Sequence, residues 1–241
     1  ISLALFASEN VSLTVVIELW YTNIMDNNTE QFIENLKKQQ EILAIILFGS
    51  QARGDNRPDS DIDLLVIVSG GYKRTVEYRN EQVFEIIYTT KESAIEYWKT
   101  DKNGCANLWE ATRILYDKNG TAELLEVEAR KIMDKGKEPI GEFRRKQLRF
   151  DAEDQIKASK MFNKSNDVLN GNFLLTSKIF ALTELFFDLR QLWTPAPKQR
   201  LEKIKHIKPE LHSKLQEFYR DGSSIDEKLV IAEDIVVLVF S

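Results

Sequence analysis

The residues with the clearest chemical potential are three acids and one glycine-serine turn. Asp61 and Asp63 stand two apart at the head of the apolar run Ile62 to Val68. Successive side chains of a strand point to opposite faces, so both carboxylates emerge on one face while Ile62 and Leu64 turn to the other. Two acids this close repel unless a cation lies between them, and hard oxygen ligands without histidine or thiolate favour Mg²⁺ or Mn²⁺. Glu85 interrupts the apolar strand pattern Val83-Phe84-Glu85-Ile86-Ile87 and is the expected third carboxylate, with Glu81 as the alternative. Gly49-Ser50 closes a second apolar run, Ile42 to Phe48. Glycine lets a backbone approach a phosphate closely, and the Ser50 hydroxyl with the N–H groups after it can donate to phosphate oxygens. Arg53 adds a planar cationic fork about one turn later, with Arg57 competing for the same task. Taken alone, Asp61 and Asp63 read equally well as a solvated strand start after an Asx-type turn at Asp59-Ser60. Paired with Gly49-Ser50 upstream they form a metal site facing a phosphate cradle, which is the equipment of phosphoryl or nucleotidyl transfer and needs no covalent nucleophile.

The elements that must position these groups follow from hydrophobic periodicity. Thr29 can cap a helix bearing Phe32, Ile33 and Leu36 at helical spacing. Strands are expected over 42–48 and 62–68, separated by a turn-rich stretch, with a hairpin of strands 75–78 and 83–88 around Arg79-Asn80-Glu81. Helical patterns then cover 91–99, 106–112 and 122–135, with a brief strand at Ile114-Leu115-Tyr116. Gly136, Pro139 and Gly141 mark Asp134 to Gly141 as a domain boundary. Beyond it the chain reads as helices: 143–162, 173–192, two shorter ones, and 225–240, with Trp193-Thr194-Pro195-Ala196-Pro197 as a helix-breaking linker. The expected fold class is α+β: a small mixed-sheet domain over about 25–138, followed by an all-α domain over 139–241.

Composition narrows the function classes. The 241 residues are 43% hydrophobic and 29% charged, which is ordinary globular material. A net charge of -5 gives no electrostatic footprint for a nucleic-acid backbone, so nucleic acid is disfavoured and a cationic small acceptor fits better. One cysteine, Cys105, and two isolated histidines exclude an internal disulfide and a zinc cluster, and Cys105 reads as a packed small side chain. A cytoplasmic home fits this chemistry. The first 24 residues are apolar in patches but carry Glu9 and Glu18 and no basic lead, so neither a signal peptide nor a membrane span is expected. Met25 opens the polar stretch Asp26-Asn27-Asn28-Thr29-Glu30, and residues 1–24 are therefore expected to be an upstream extension.

The segment LFGSQARGDNRPDSDIDLLVIV, residues 47 to 68, resembles the polymerase-β-like nucleotidyltransferase superfamily, whose signature is a Gly-Ser turn followed by carboxylate-x-carboxylate on a strand. The layout of a catalytic α+β domain before a helical one is similar to the kanamycin-type aminoglycoside nucleotidyltransferases and their bacterial relatives. That resemblance implies Mg²⁺ or Mn²⁺ on Asp61, Asp63 and Glu85, an NTP held at Gly49, Ser50 and Arg53, and a small-molecule acceptor hydroxyl. Antibiotic modification is one activity of that kind. It also implies a catalytic base from the helical domain, for which Glu153 and Asp154 in Phe150-Asp151-Ala152-Glu153-Asp154 are the candidates. Lys198, after the Trp193 to Pro197 linker, is a candidate for neutralising triphosphate. Glu184 and Asp188, one helical turn apart, could face a cleft or pair with Arg190. Other readings are a protein-modifying nucleotidyltransferase, a nucleotide-binding pseudoenzyme and a terminal transferase of nucleic acid; a homodimer is left open.

Overall fold

The computed structural model describes residues 27–79 and 81–241, so the expected extension at 1–24 lies outside the described residues. The chain divides into two compact units, one running up to Tyr97 and including Ala111–Glu128, the other made of Trp98–Glu110 and Ala129–Ser241. A single cut near residue 138 does not describe this division, because Trp98–Glu110 and the residues just after Glu128 belong with the helices that follow.

The first unit is built on a five-stranded mixed sheet in the order β3-β4-β2-β1-β5. Its elements are α1 (Asn27–Lys37), β1 (Ile42–Phe48), the short helix α2 (Gly49–Arg53), β2 (Ile62–Val68), β3 (Lys73–Arg79), β4 (Gln82–Thr89) and β5 (Arg113–Asp117). The helix α1 buries Phe32, Ile33 and Leu36, which cluster with Ile45, Leu47, Leu64 and Phe84 of the sheet. The alternate residues Ala44, Ile46, Leu65 and Ile67 are equally buried, so β1 and β2 are covered on both faces. Strands β1 and β2 run antiparallel, whereas β2 and β4 run parallel, with β3 on the outer edge antiparallel to β4. The expected hairpin is present and each of its strands is longer than the apolar pattern alone indicated. The helix α2 was not anticipated. It is a single turn that ends at Gly54, whose φ of 80° favours glycine.

Helices α3 (Lys91–Thr100), α4 (Lys102–Trp109) and α5 (Thr121–Asp134) lead into α6 (Glu142–Lys164), α7 (Val168–Asp188), α8 (Pro197–Ile207), α9 (Pro209–Phe218) and α10 (Ile225–Phe240). The second unit centres on Ile156, Leu175, Ile179, Phe186, Leu215 and Ile235, all buried. The expected α+β class is observed, with helices filling the C-terminal part. Asp134 to Gly141, expected as a boundary, is fastened inside this unit. Lys137, 12% exposed, pairs with Asp188 and donates to Thr194 Oγ1 at 2.7 Å, while Trp193 Nε1 donates to the Met133 carbonyl at 3.2 Å. The Trp193 to Pro197 segment therefore docks its tryptophan as a helix break does. Cys105 is fully buried, and burial pushes its thiol up to about 12, which suits a packed side chain and not a nucleophile. Among the described residues no helix is long and apolar enough to cross a membrane.

Candidate active site

The acids converge because of strand pairing. Asp63 sits one residue into β2, and its partner across the parallel ladder is Glu85 in β4. Residues level with one another on neighbouring strands share a face, so Glu85 joins Asp61 and Asp63 on the side opposite Leu64 and Phe84. One carboxylate oxygen from each of Asp61, Asp63 and Glu85 lies within 4.8 Å of the other two, and all three side chains are half-buried. Glu81 belongs to the turn before β4, is exposed and lies outside this cluster.

On the other side of Asp63 lies β1, whose last residue Phe48 pairs with it. The Gly-Ser turn therefore leaves the sheet beside the carboxylates. Gly49 has φ 74°, and a Cβ on it would sit 2.0 Å from Asp63 Oδ2. Glycine is needed both for the left-handed backbone and for the space that the Asp63 carboxylate occupies. Ser50 is 5% exposed, and its hydroxyl has no hydrogen-bond partner among the described residues. A buried hydroxyl left unmated costs folding free energy, and this one lies beside the carboxylate cluster. The oxygen-only donor set and the unmated Ser50 hydroxyl fit a hard divalent ion with a phosphate beside it.

Three contacts that sequence reasoning missed hold the rim. Gln82 Nε2 donates to the Ser60 carbonyl at 3.1 Å, tying the entry of β4 to the loop that delivers Asp61. That loop is closed by Ser60, whose Oγ accepts from Arg57 N at 2.9 Å. Arg74 of β3 donates from Nε at 2.7 Å, and from Nη2, to Glu85 Oε1. The carboxylate raises the Arg74 pKa above its ordinary value, through its hydrogen bond and its charge. No periodicity marks Arg74; an alternating strand with two basic residues at its start was the only signal.

The remaining expected residues have other company. Arg53 turns its Nε to both oxygens of Asp55, each at 3.2 Å. Glu153 pairs with Arg149 at 2.8 Å one turn away, Asp154 is exposed, and Lys198 is exposed near the start of α8. All three belong to the helical unit. The pairing considered for Glu184 and Asp188 with Arg190 is corrected: Glu184 meets the buried Arg200 at 3.0 Å and Asp188 meets Lys137. Arg190 instead caps carbonyls, donating to Val239 O at 3.0 Å and Phe186 O at 3.2 Å, where the last carbonyls of a helix lack intrahelical donors.

Residues 29–113 match a family model described as a nucleotidyltransferase domain. Gly49, Ser50, Asp61, Asp63 and Glu85 all fall inside the match, which agrees with the resemblance at residues 47–68. A candidate protein adenylyltransferase of Methanocaldococcus jannaschii is 36% identical over 70 residues, which are 27% of this chain and 48% of that relative. The chain thus spans about half the length of the curated relative it matches. Among solved structures, a nucleotidyltransferase-like protein from Exiguobacterium sibiricum aligns over 88% of this chain and 73% of its own, at 11% identity and a TM-score of 0.47. The spectinomycin adenyltransferase AAD(9) of Enterococcus faecialis, solved with ATP and spectinomycin, aligns over 89% of this chain and 100% of its own, at 13% identity and a TM-score of 0.40. Both structural likenesses are too distant to bear on substrate.

Proposed function

We propose that this protein is a divalent-metal-dependent nucleotidyltransferase that passes a nucleoside monophosphate from an NTP, ATP before others, to a hydroxyl of a small acceptor, releasing pyrophosphate. The observation that carries this reading is the convergence of Asp61, Asp63 and Glu85 within 4.8 Å beside a glycine that tolerates no Cβ. Asp61, Asp63 and Glu85 would hold Mg²⁺ or Mn²⁺, and Ser50 would donate its unmated hydroxyl to the phosphates. A divalent ion bound there supplies Lewis-acid polarisation of the reacting phosphate. Attack on phosphorus also needs an acceptor oxygen held in line and a base within reach of its proton. Glu153 and Asp154 of the helical unit are proposed for that base, and Lys198 for the triphosphate; the pairing of Glu153 with Arg149 makes Asp154 the first to test. The net charge of -5 favours a cationic acceptor.

A second reading has its own support. One sequence relative is described as a candidate protein adenylyltransferase, so a protein hydroxyl is the alternative acceptor. Incubation with Mg²⁺ and ATP labelled on the α-phosphate, against small hydroxylated amines and against cell protein, separates the two by where the label goes. Asp63→Asn removes one ligand charge and no core volume. It is expected to lower pyrophosphate release by about 10²–10³-fold, the scale of several kcal/mol of lost charge stabilisation, with thermal stability unchanged or slightly higher. Full activity of this variant with Mg²⁺ would remove the proposal.

A further inference from the structure

We infer that Arg74 is a positioning residue for the metal site, holding Glu85 in place and standing in for part of the metal's charge until the metal binds. The inference rests on the metal-site reading above. Four neighbouring strands contribute one feature each to a row: Arg74 on β3, Glu85 on β4, Asp63 on β2, and the Gly49-Ser50 turn at the end of β1. Val76 is the residue opposite Glu85, and Arg74 lies two positions along the same strand, which puts its side chain on the face of the carboxylates. Its fork closes on a single oxygen, Oε1, through Nε and Nη2, so this contact leaves Oε2 of Glu85 to other partners. A planar, bidentate donor of this kind fixes a carboxylate's orientation as well as its charge.

The pair has little value as a fold-holding bridge. Arg74 is 63% exposed and lies on the edge strand, where ion pairs contribute little to stability. Its cost is to metal affinity. A fixed positive charge in contact with one ligand repels an arriving dication, and the carboxylate must be shared between them. The clamp therefore trades tight binding for an ordered third ligand, since an unclamped glutamate has more rotamers to lose when the metal binds.

The test is Mn²⁺ binding to the full chain without nucleotide, read by the loss of the free-ion paramagnetic resonance signal, for wild type, Arg74→Gln and Arg74→Lys. Removing the charge in Arg74→Gln is expected to tighten Mn²⁺ binding by roughly three- to tenfold at low salt, with the gap narrowing as ionic strength rises. Arg74→Lys keeps the charge without the fork and is expected to bind Mn²⁺ close to wild type. At saturating metal both variants are expected to show a lower kcat with little change in the KM for NTP, because Glu85 is less ordered. Equal or weaker Mn²⁺ binding by Arg74→Gln overturns the inference and leaves the metal site standing. Failure of the wild type to bind Mn²⁺ at all overturns the metal-site reading and this inference with it.

Discussion

At Gly49 two demands coincide that a glycine elsewhere in the chain meets singly. Its φ of 74° alone would cost a side chain about 1–2 kcal/mol, and its missing Cβ is also the space that Asp63 Oδ2 fills. Gly54 provides the control, with φ 80° and nothing among the described residues within 4 Å of an added Cβ. Gly54→Ala is expected to lower stability by about 1–2 kcal/mol and leave pyrophosphate release near wild type. Gly49→Ala is expected to cost more and to push the Asp63 carboxylate off its place, so that Mn²⁺ binding and transfer fall together. Thermal melts with Mn²⁺ titrations check both, and a fully active Gly49→Ala would show that the close approach is not needed. The sequence marked Gly49 as a phosphate-approach glycine. Its neighbour in space is a carboxylate of its own chain, a contact made across the β1–β2 ladder that local spacing does not encode.

Among the elements, α10 has the clearest local signature and the most local test. Ser224 accepts from Glu227 N at 3.3 Å and Glu227 reaches back to Ser224 N at 2.8 Å, a reciprocal cap on a helix that buries Leu229, Ile235, Val236 and Val239. Ser224→Ala is expected to lower stability by about 1 kcal/mol in denaturant melts. The backbone and side chain of Ser224 hold the Glu227 pKa below its ordinary 4.5. A depressed carboxylate stabilises the fold above its unfolded pKa, so this contribution is present at neutral pH and is lost as pH falls from about 4.5 through the lower folded value. Ser224→Ala keeps the backbone donor and removes only the hydroxyl's share, so it should differ somewhat more from wild type near neutrality than in acid; an equal difference at all pH values would assign the effect to the hydroxyl's acceptance from Glu227 N. Helix ends elsewhere moved for the same kind of reason. The pattern for α7 began at Phe173, whereas the helix begins at Val168 because Asp167 accepts from Asn170 N at 3.2 Å. Caps of this sort are polar and carry no periodicity, so a reading led by apolar spacing starts the helix late.

For the molecule as a whole, Cys105 reports on integrity. It lies in α4, fully buried, with its thiol pushed up to about 12, so the folded chain is expected to leave a disulfide reagent unreacted at pH 8 and to react once denaturant opens the helical unit. Rapid reaction of the native protein would contradict the burial. The division into units bears on what was legible. The sequence alone singled out Gly49, Ser50, Asp61 and Asp63, and Glu85 with Glu81 as its alternative, because a strand's two-residue period and a glycine turn are local properties that each segment carries by itself. It also identified the α+β class and the helical C-terminal part from the change of period. Only the tertiary structure decided that β4 lies parallel beside β2 with Glu85 level with Asp63, and that Arg74 reaches Glu85 from the edge. It likewise gave Trp98–Glu110 to the helical unit and matched Glu184 with Arg200 and Asp188 with Lys137. The physical reason is common to all of these. Strand partners and packing partners are selected by burial summed over segments far apart in the chain, and a long charged side chain takes whichever partner that packing brings within reach.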